Sequence, residues 1–256
     1  MKKEHNNRRQ FLLKGSLLSA GLLSAPALIQ AALSAELRSE LAHKHPGEVI
    51  LFQGDSITDG NRNRGRYYPN DGAGMGFGYV YQIASHLLGR YPDKQFKCYN
   101  RGISGHKVFQ LADRWEDDCI QLAPDVLSLL IGVNDFWHTK THSFKGTAES
   151  YEADLRQLLD RTRQSLPNVK IIIGEPFFVE DGSALDKSWF PEFDRYRAAC
   201  ARVAKDLADA FIPYNLLFAT ALKTAPVSYW CPDGVHPSMA GGHLMANAWL
   251  EAYQKL

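Results

Sequence analysis

Cysteine is scarce in this chain. There are four in 256 residues, Cys98, Cys119, Cys200 and Cys231, and no CxxC pair among them. That excludes a small disulfide-stapled scaffold and leaves a structural zinc site without its ligand spacing; buried free thiols are the expectation. Surplus charge is missing too. Lys and Arg number 29 against 28 Asp and Glu, a formal net charge of +1, so nothing electrostatic points to nucleic acid. Internal repeats, low-complexity tracts and heptad runs are absent, which excludes solenoids and coiled coils. No apolar run reaches the roughly 20 residues that cross a bilayer. What remains, 45% hydrophobic and 22% charged, is the composition of one globular domain with at most a small appendage.

The charge is unevenly spread. Residues 1–31, MKKEHNNRRQFLLKGSLLSAGLLSAPALIQA, hold five Lys/Arg and one acid. A basic start, the apolar stretch GSLLSAGLLSAPALI and then small residues form the layout of an export signal. Within it, NRRQFLLK resembles the twin-arginine signal, which exports folded proteins; Asn7 replaces the usual Ser/Thr, and Lys14 comes one residue late. The expectation is a signal over 1–31, cleaved between Ala27 and Ala35. A linker over 32–47 and a catalytic domain over 48–256 would follow, in a periplasmic or secreted protein without stable membrane insertion. An uncleaved amphipathic anchor is the alternative.

Beyond the linker, apolar runs alternate with helical patterns. EVILFQG (48–54), FKCYNRG (96–102), DVLSLLIG (125–132), VKIIIGEPF (169–177) and AFIPYN (210–215) are short, with little alternation, as strands covered on both faces should be. Between them, Tyr151, Leu155, Leu158, Leu159, Thr162 and Leu166 share one helical face. Phe193, Tyr196, Cys200, Val203 and Leu207 share another. Pro237 is placed to open a last helix running to about residue 254. Five strand–helix units predict an α/β fold, a five-stranded, mostly parallel sheet with helices on both sides. Active sites in such sheets lie at the carboxyl ends of the strands. Gly54 ends the first strand, so Ser56 projects from that edge.

A serine needs a base, and the base needs an orienting group. CPDGVHPSMAGGH (231–243) supplies Asp233 and His236 three residues apart in one loop, although D-x-x-H alone more often only shapes a turn. NRGISGH (100–106) ends the second strand with glycines that let a backbone N–H approach a substrate, or merely turn the chain. IGVNDFW (131–137) puts Asn134 at the tip of the third strand, as an amide donor or a helix cap. DGAGMGFGY (71–79) lacks the context of a nucleotide fingerprint and reads as a flexible approach to a helix. HTKTH (138–142), read as loop, makes a poor metal pair.

Taken together, Gly-Asp-Ser after the first strand, Gly-x-x-Gly after the second, Gly-x-Asn-Asp after the third and Asp-x-x-His near the end resemble the SGNH hydrolases, or GDSL esterases, over roughly 48–252. The finer resemblance is to the bacterial acetylxylan esterase branch, carried by LADRWEDDCIQLAPDVLSLLIGVNDFW (111–137), GEPFFVE (174–180) and DGVHPSMAGG (233–242). It implies a flavodoxin-like three-layer α/β/α sandwich. It also implies a catalytic set of Ser56, His236 and Asp233, and oxyanion donors from the Ser56 and Gly105 N–H groups and the Asn134 amide. No metal or cofactor is required. The implied reaction is hydrolysis of acetyl esters of oligo- or polysaccharides through an acyl-enzyme.

Trp137, Trp230 and Asp55 are the expected substrate contacts; Tyr67, Tyr68, Trp189 and Phe190 are further aromatics in loops near the edge. Asp55 also fits a role bracing the turn, and Asp59 is read as structural. Two rivals stand beside this reading: a lysophospholipase or thioesterase for long acyl chains, and a non-catalytic glycan-binding module on the same scaffold. Related esterases can assemble into homo-oligomers, but no segment here marks an interface.

Overall fold

The apolar runs become the strands of one sheet in a computed structural model that describes residues 44–256. The expected export signal and residues 32–43 of the linker lie outside the described residues. Strand β1 (Val49–Gly54) leads directly into the one-turn helix α1 (Ser56–Asp59). A long loop carrying α2 (Gly72–Met75) then enters α3 (Tyr79–Arg90). Next come β2 (Lys97–Asn100), α4 (Val108–Asp113), β3 (Val126–Leu130) and α5 (Val133–Thr141). The last part of the chain forms α6 (Ala148–Ser165), β4 (Lys170–Gly174), α7 (Phe190–Leu207), β5 (Ala210–Ile212), α8 (Tyr214–Ala221), α9 (Val227–Trp230) and α10 (Met239–Gln254).

The strand order is β2-β1-β3-β4-β5, and all four pairings are parallel. The chain leaves β1 for β2 on one side and returns to β3 on the other. That switch splays the loops after β1 and β3 apart at the carboxyl edge and leaves a crevice. Successive residues of β1 face opposite layers. Phe52 meets Tyr79 of α3 and Trp249 of α10, while Gln53 reaches the Asp118 carbonyl at 2.8 Å on the other face. The sheet is therefore the middle of three layers, with α3 and α10 on one side and α4, α6 and α7 on the other.

The two fully buried indoles both find hydroxyl acceptors. Trp249 donates to Ser128 Oγ and Trp115 to Thr162 Oγ1, each at 2.9 Å. Their large apolar area is thus buried without an orphaned donor. All four cysteines are buried thiols.

Local signals set the helix ends. Thr147 and Ser150 form a reciprocal capping box that starts α6, and Pro191 stands in the first turn of α7. The last helix begins later than its proline suggests. Ser238 caps α10 by accepting the Gly241 N–H, so Pro237 lies ahead of the helix. HTKTH is not a loop, because α5 carries the chain through Thr141. Residues 44–47 are not free linker either. Lys44 lies over the Tyr253 ring, and its carbonyl accepts from Lys94 Nζ at 2.6 Å, while Gly47 N–H donates to the Lys94 carbonyl.

Candidate active site

β1 delivers the serine. Gly54 ends the strand where no side chain fits, since a Cβ there would stand 2.3 Å from the Leu130 carbonyl and 2.4 Å from Thr58 Oγ1. The chain then turns straight into α1, capped by Asp55 Oδ1, which accepts the Ile57 N–H at 3.0 Å. Ser56 is the first helical residue, and its N–H is one of those an α-helix leaves unpaired. Its Oγ sits 2.8 Å from His236 Nε2, across 180 residues of sequence.

The last loop supplies the other two groups. His236 Nδ1 lies 2.6 Å from Asp233 Oδ2, and Asp233 Oδ1 accepts the backbone N–H groups of Val235 and His236 at 2.8 and 2.7 Å. Nδ1 facing a carboxylate places the proton there and leaves the Nε2 lone pair toward the serine. Burial works against ionising Asp233, but the hydrogen bonds from the His236 side chain and from both backbone N–H groups outweigh it, and its pKa falls to about 2. The same hydrogen bond from His236 to Asp233 raises the imidazole pKa above the ordinary histidine value, against its partial burial.

The three expected oxyanion donors follow the carboxyl ends of β1, β2 and β3. Among the described residues, neither the Ser56 nor the Gly105 N–H has a protein acceptor. Gly105 is held left-handed at φ +82°. Asn134 lies in the first turn of α5, almost fully buried, and spends one amide hydrogen on the His106 carbonyl at 3.2 Å, leaving the second for a ligand. Beside them the His106 and His138 rings are kept neutral, with pKa values lowered to about 4 by burial and then by the neighbouring cations Arg114 and Lys107.

Asp59 is structural, as its neighbours predict. Its side chain is buried; Oδ1 accepts the Arg62 N–H at 3.1 Å, and Oδ2 accepts the Ser104 N–H at 2.9 Å and Arg64 Nη2 at 2.6 Å. One carboxylate thereby ties the loops after β1 and β2 to the serine helix. Asn100 reinforces it, donating to the Thr58 and Met75 carbonyls at 2.7 and 2.9 Å.

Of the three expected substrate contacts, Trp137 stands beside the base, its ring 6.3 Å from the His236 ring. Asp55 is not open to a substrate. It is 1% exposed beneath α1, and burial pushes its carboxyl up to about 7. The Trp230 indole N–H donates to the Ala221 carbonyl at 3.1 Å, which braces the end of α8. Sequence reasoning missed Arg64, Phe77 and Ser104, which line a cavity of about 600 Å³ with Ser56 and His236. The glycines around Phe77 were the available signal, read as slack rather than as close packing.

A serine hydrogen-bonded to an imidazole, a carboxylate behind it and N–H donors alongside, at the carboxyl edge of a doubly wound sheet, define a serine-type ester hydrolase. The comparisons agree. The profile of the GDSL-like Lipase/Acylhydrolase family matches residues 52–244, and the chain belongs to that family. It is 37% identical over 209 residues to an acetylxylan esterase of Geobacillus stearothermophilus, covering 80% of this chain and 93% of that protein. A crystal structure of that organism's acetylxylan esterase superposes with a TM-score of 0.73 at 35% identity, over 82% of this chain and 95% of the other. A Parabacteroides merdae protein described as a GDSL-like lipase superposes with a TM-score of 0.80 at 50% identity, over 81% and 96% of the two chains.

Proposed function

We propose that this esterase removes acetyl groups from plant-type polysaccharides or their oligosaccharides through an acyl-enzyme. The observation that carries the substrate is the similarity to an acetylxylan esterase across nearly that protein's whole length. In the proposed reaction, His236 Nε2 takes the Ser56 proton as Oγ attacks the acetyl carbonyl. The Ser56 and Gly105 N–H groups and the Asn134 amide receive the oxyanion. His236 then protonates the leaving sugar hydroxyl, and water repeats the cycle to release acetate. Asp233 holds the imidazole in its tautomer and stabilises its charged form.

Released acetate is the test. Acetylated xylan, acetylated pectin and simple acetylated sugars are compared as substrates, and acetyl with octanoyl p-nitrophenyl esters. Acetate from a polysaccharide or its fragments, with preference for the acetyl ester, supports the proposal; preference for the octanoyl ester contradicts it. The basic and apolar segment at 1–31 supports export by the twin-arginine route. Replacing Arg8 and Arg9 by lysine should then retain the protein in the cytoplasm, and unchanged export would argue against that route.

A further inference from the structure

The cavity at Ser56 is far larger than a two-carbon acyl group needs. Its volume, about 600 Å³, leaves room for the alcohol part of an ester as well. Phe77 lines it, yet the ring is 81% exposed, more than any other large aromatic side chain among the described residues. Burying such a ring is the ordinary outcome of folding.

The exposure does not come from a loose backbone. Phe77 N–H donates to the Gly60 carbonyl at 2.7 Å. Gly60 and Gly76 both hold positive φ, at +53° and +76°, and neither has room for a side chain. A Cβ on Gly76 would stand 2.5 Å from the Asp59 carbonyl, and one on Gly60 would stand 2.8 Å from the Gly78 nitrogen. On either side Met75 and Tyr79 are buried, and the Tyr79 hydroxyl hydrogen-bonds Thr58 Oγ1 of α1 at 3.0 Å. Phe77 is thus fastened to the serine helix while its ring stands in solvent at the mouth of the site. Arg64 lines the same cavity. One of its N–H groups is fixed on Asp59, and the rest of a half-exposed guanidinium is left to donate.

We infer that Phe77 and Arg64 form a pyranose-binding subsite on the leaving-group side. The apolar face of a neutral sugar ring packs on Phe77, its hydroxyls accept from Arg64, and the acetyl ester on that ring is presented to Ser56. An aromatic face and a planar donor fork suit a ring with axial C–H bonds on one side and hydroxyls at its edge. This subsite rests on the proposed deacetylation of sugars.

The test is a specificity ratio. For Phe77→Ala, kcat/KM on acetylated xylo-oligosaccharides divided by kcat/KM on p-nitrophenyl acetate should fall about tenfold, chiefly through KM on the sugar. Phe77→Trp should restore most of the ratio. Circular dichroism and gel-filtration volume should match the wild type. An unchanged ratio overturns the subsite, as does equal loss on both esters. A shifted elution volume also overturns it, by making the ring an interface between copies of the chain. If the wild-type enzyme cleaves p-nitrophenyl acetate but frees no acetate from any sugar, the proposed function itself fails. Sugar deacetylation that ignores Phe77 refutes the subsite alone.

Discussion

The turn after β1 and the loop before α10 each bring aspartate close to the reacting atoms, and they treat it in opposite ways. In the turn, Asp55 is sealed under α1, accepts one backbone N–H, and leaves Oδ2 without a partner. Burial raises its pKa to about 7. In the loop, Asp233 is partly open to solvent and accepts three N–H groups, which bring its pKa to about 2 despite some desolvation. Adjacency in sequence to the serine therefore says nothing about chemical partnership. The carboxylate that orients the base arrives from the far end of the chain, and the one beside the serine acts as a cap.

Substitutions can break that contrast at several points. Ser56→Ala should have the largest effect, a loss of about 10⁶ in kcat with the fold intact. Steady-state kinetics alongside a thermal melt measures it.

Asp233→Asn should cost about 10⁴, and it should also move the pH profile. Catalysis by His236 needs the neutral imidazole, so activity falls as pH drops through a pKa that Asp233 raises. Removing that charge lowers the imidazole pKa, and the acid limb of kcat/KM should shift to lower pH. A limb that stays in place would detach Asp233 from the base.

Asp59→Asn should act mainly on stability and loop position. An amide at the Asp59 Oδ2 position would meet the Ser104 N–H and the Arg64 guanidinium donor to donor. The expected cost is about 1–3 kcal/mol, read from urea unfolding.

Asp55→Asn should have the smallest effect on activity and a characteristic sign in stability. The folded carboxyl holds its proton up to about pH 7, while the unfolded one releases it near 3.8. Its contribution to stability is therefore fullest at low pH and is lost as pH rises through 7. Asparagine keeps an acceptor for Ile57 without that titration. The melting temperature of the variant relative to the wild type should rise from pH 5 to pH 8, and a relative fall would mean that Asp55 is stabilised as a charge.

Much of this architecture can be read from the chain. The five strands announce themselves because residues covered on both faces leave unbroken apolar runs, as in VKIIIG. Ser56 is legible because a glycine closes β1 just before it and it opens α1, whereas Asp233 and His236 lie in a loop ahead of α10 and are legible only through the four-block resemblance. The misreadings share one physical cause. Trp230 reads as a loop residue near the catalytic edge, yet it ends α9 and its indole N–H is taken by the Ala221 carbonyl on another element. Phe77 looked like part of a slack glycine run, because the packing that excludes a Cβ at Gly60 and Gly76 involves residues distant in sequence. In HTKTH, the continuation of α5 from Val133 outweighed the low helix propensity of threonine. Side-chain direction and loop stiffness are tertiary quantities, and a local pattern carries little of either.

The most direct test is covalent labelling of the active protein with a fluorophosphonate, followed by intact-mass and peptide mass spectrometry. A single adduct per chain is expected on the Ser56 hydroxyl, formed with loss of esterase activity and abolished in Ser56→Ala. Inactivation with the label on another residue, or full activity in a protein labelled at Ser56, would contradict it.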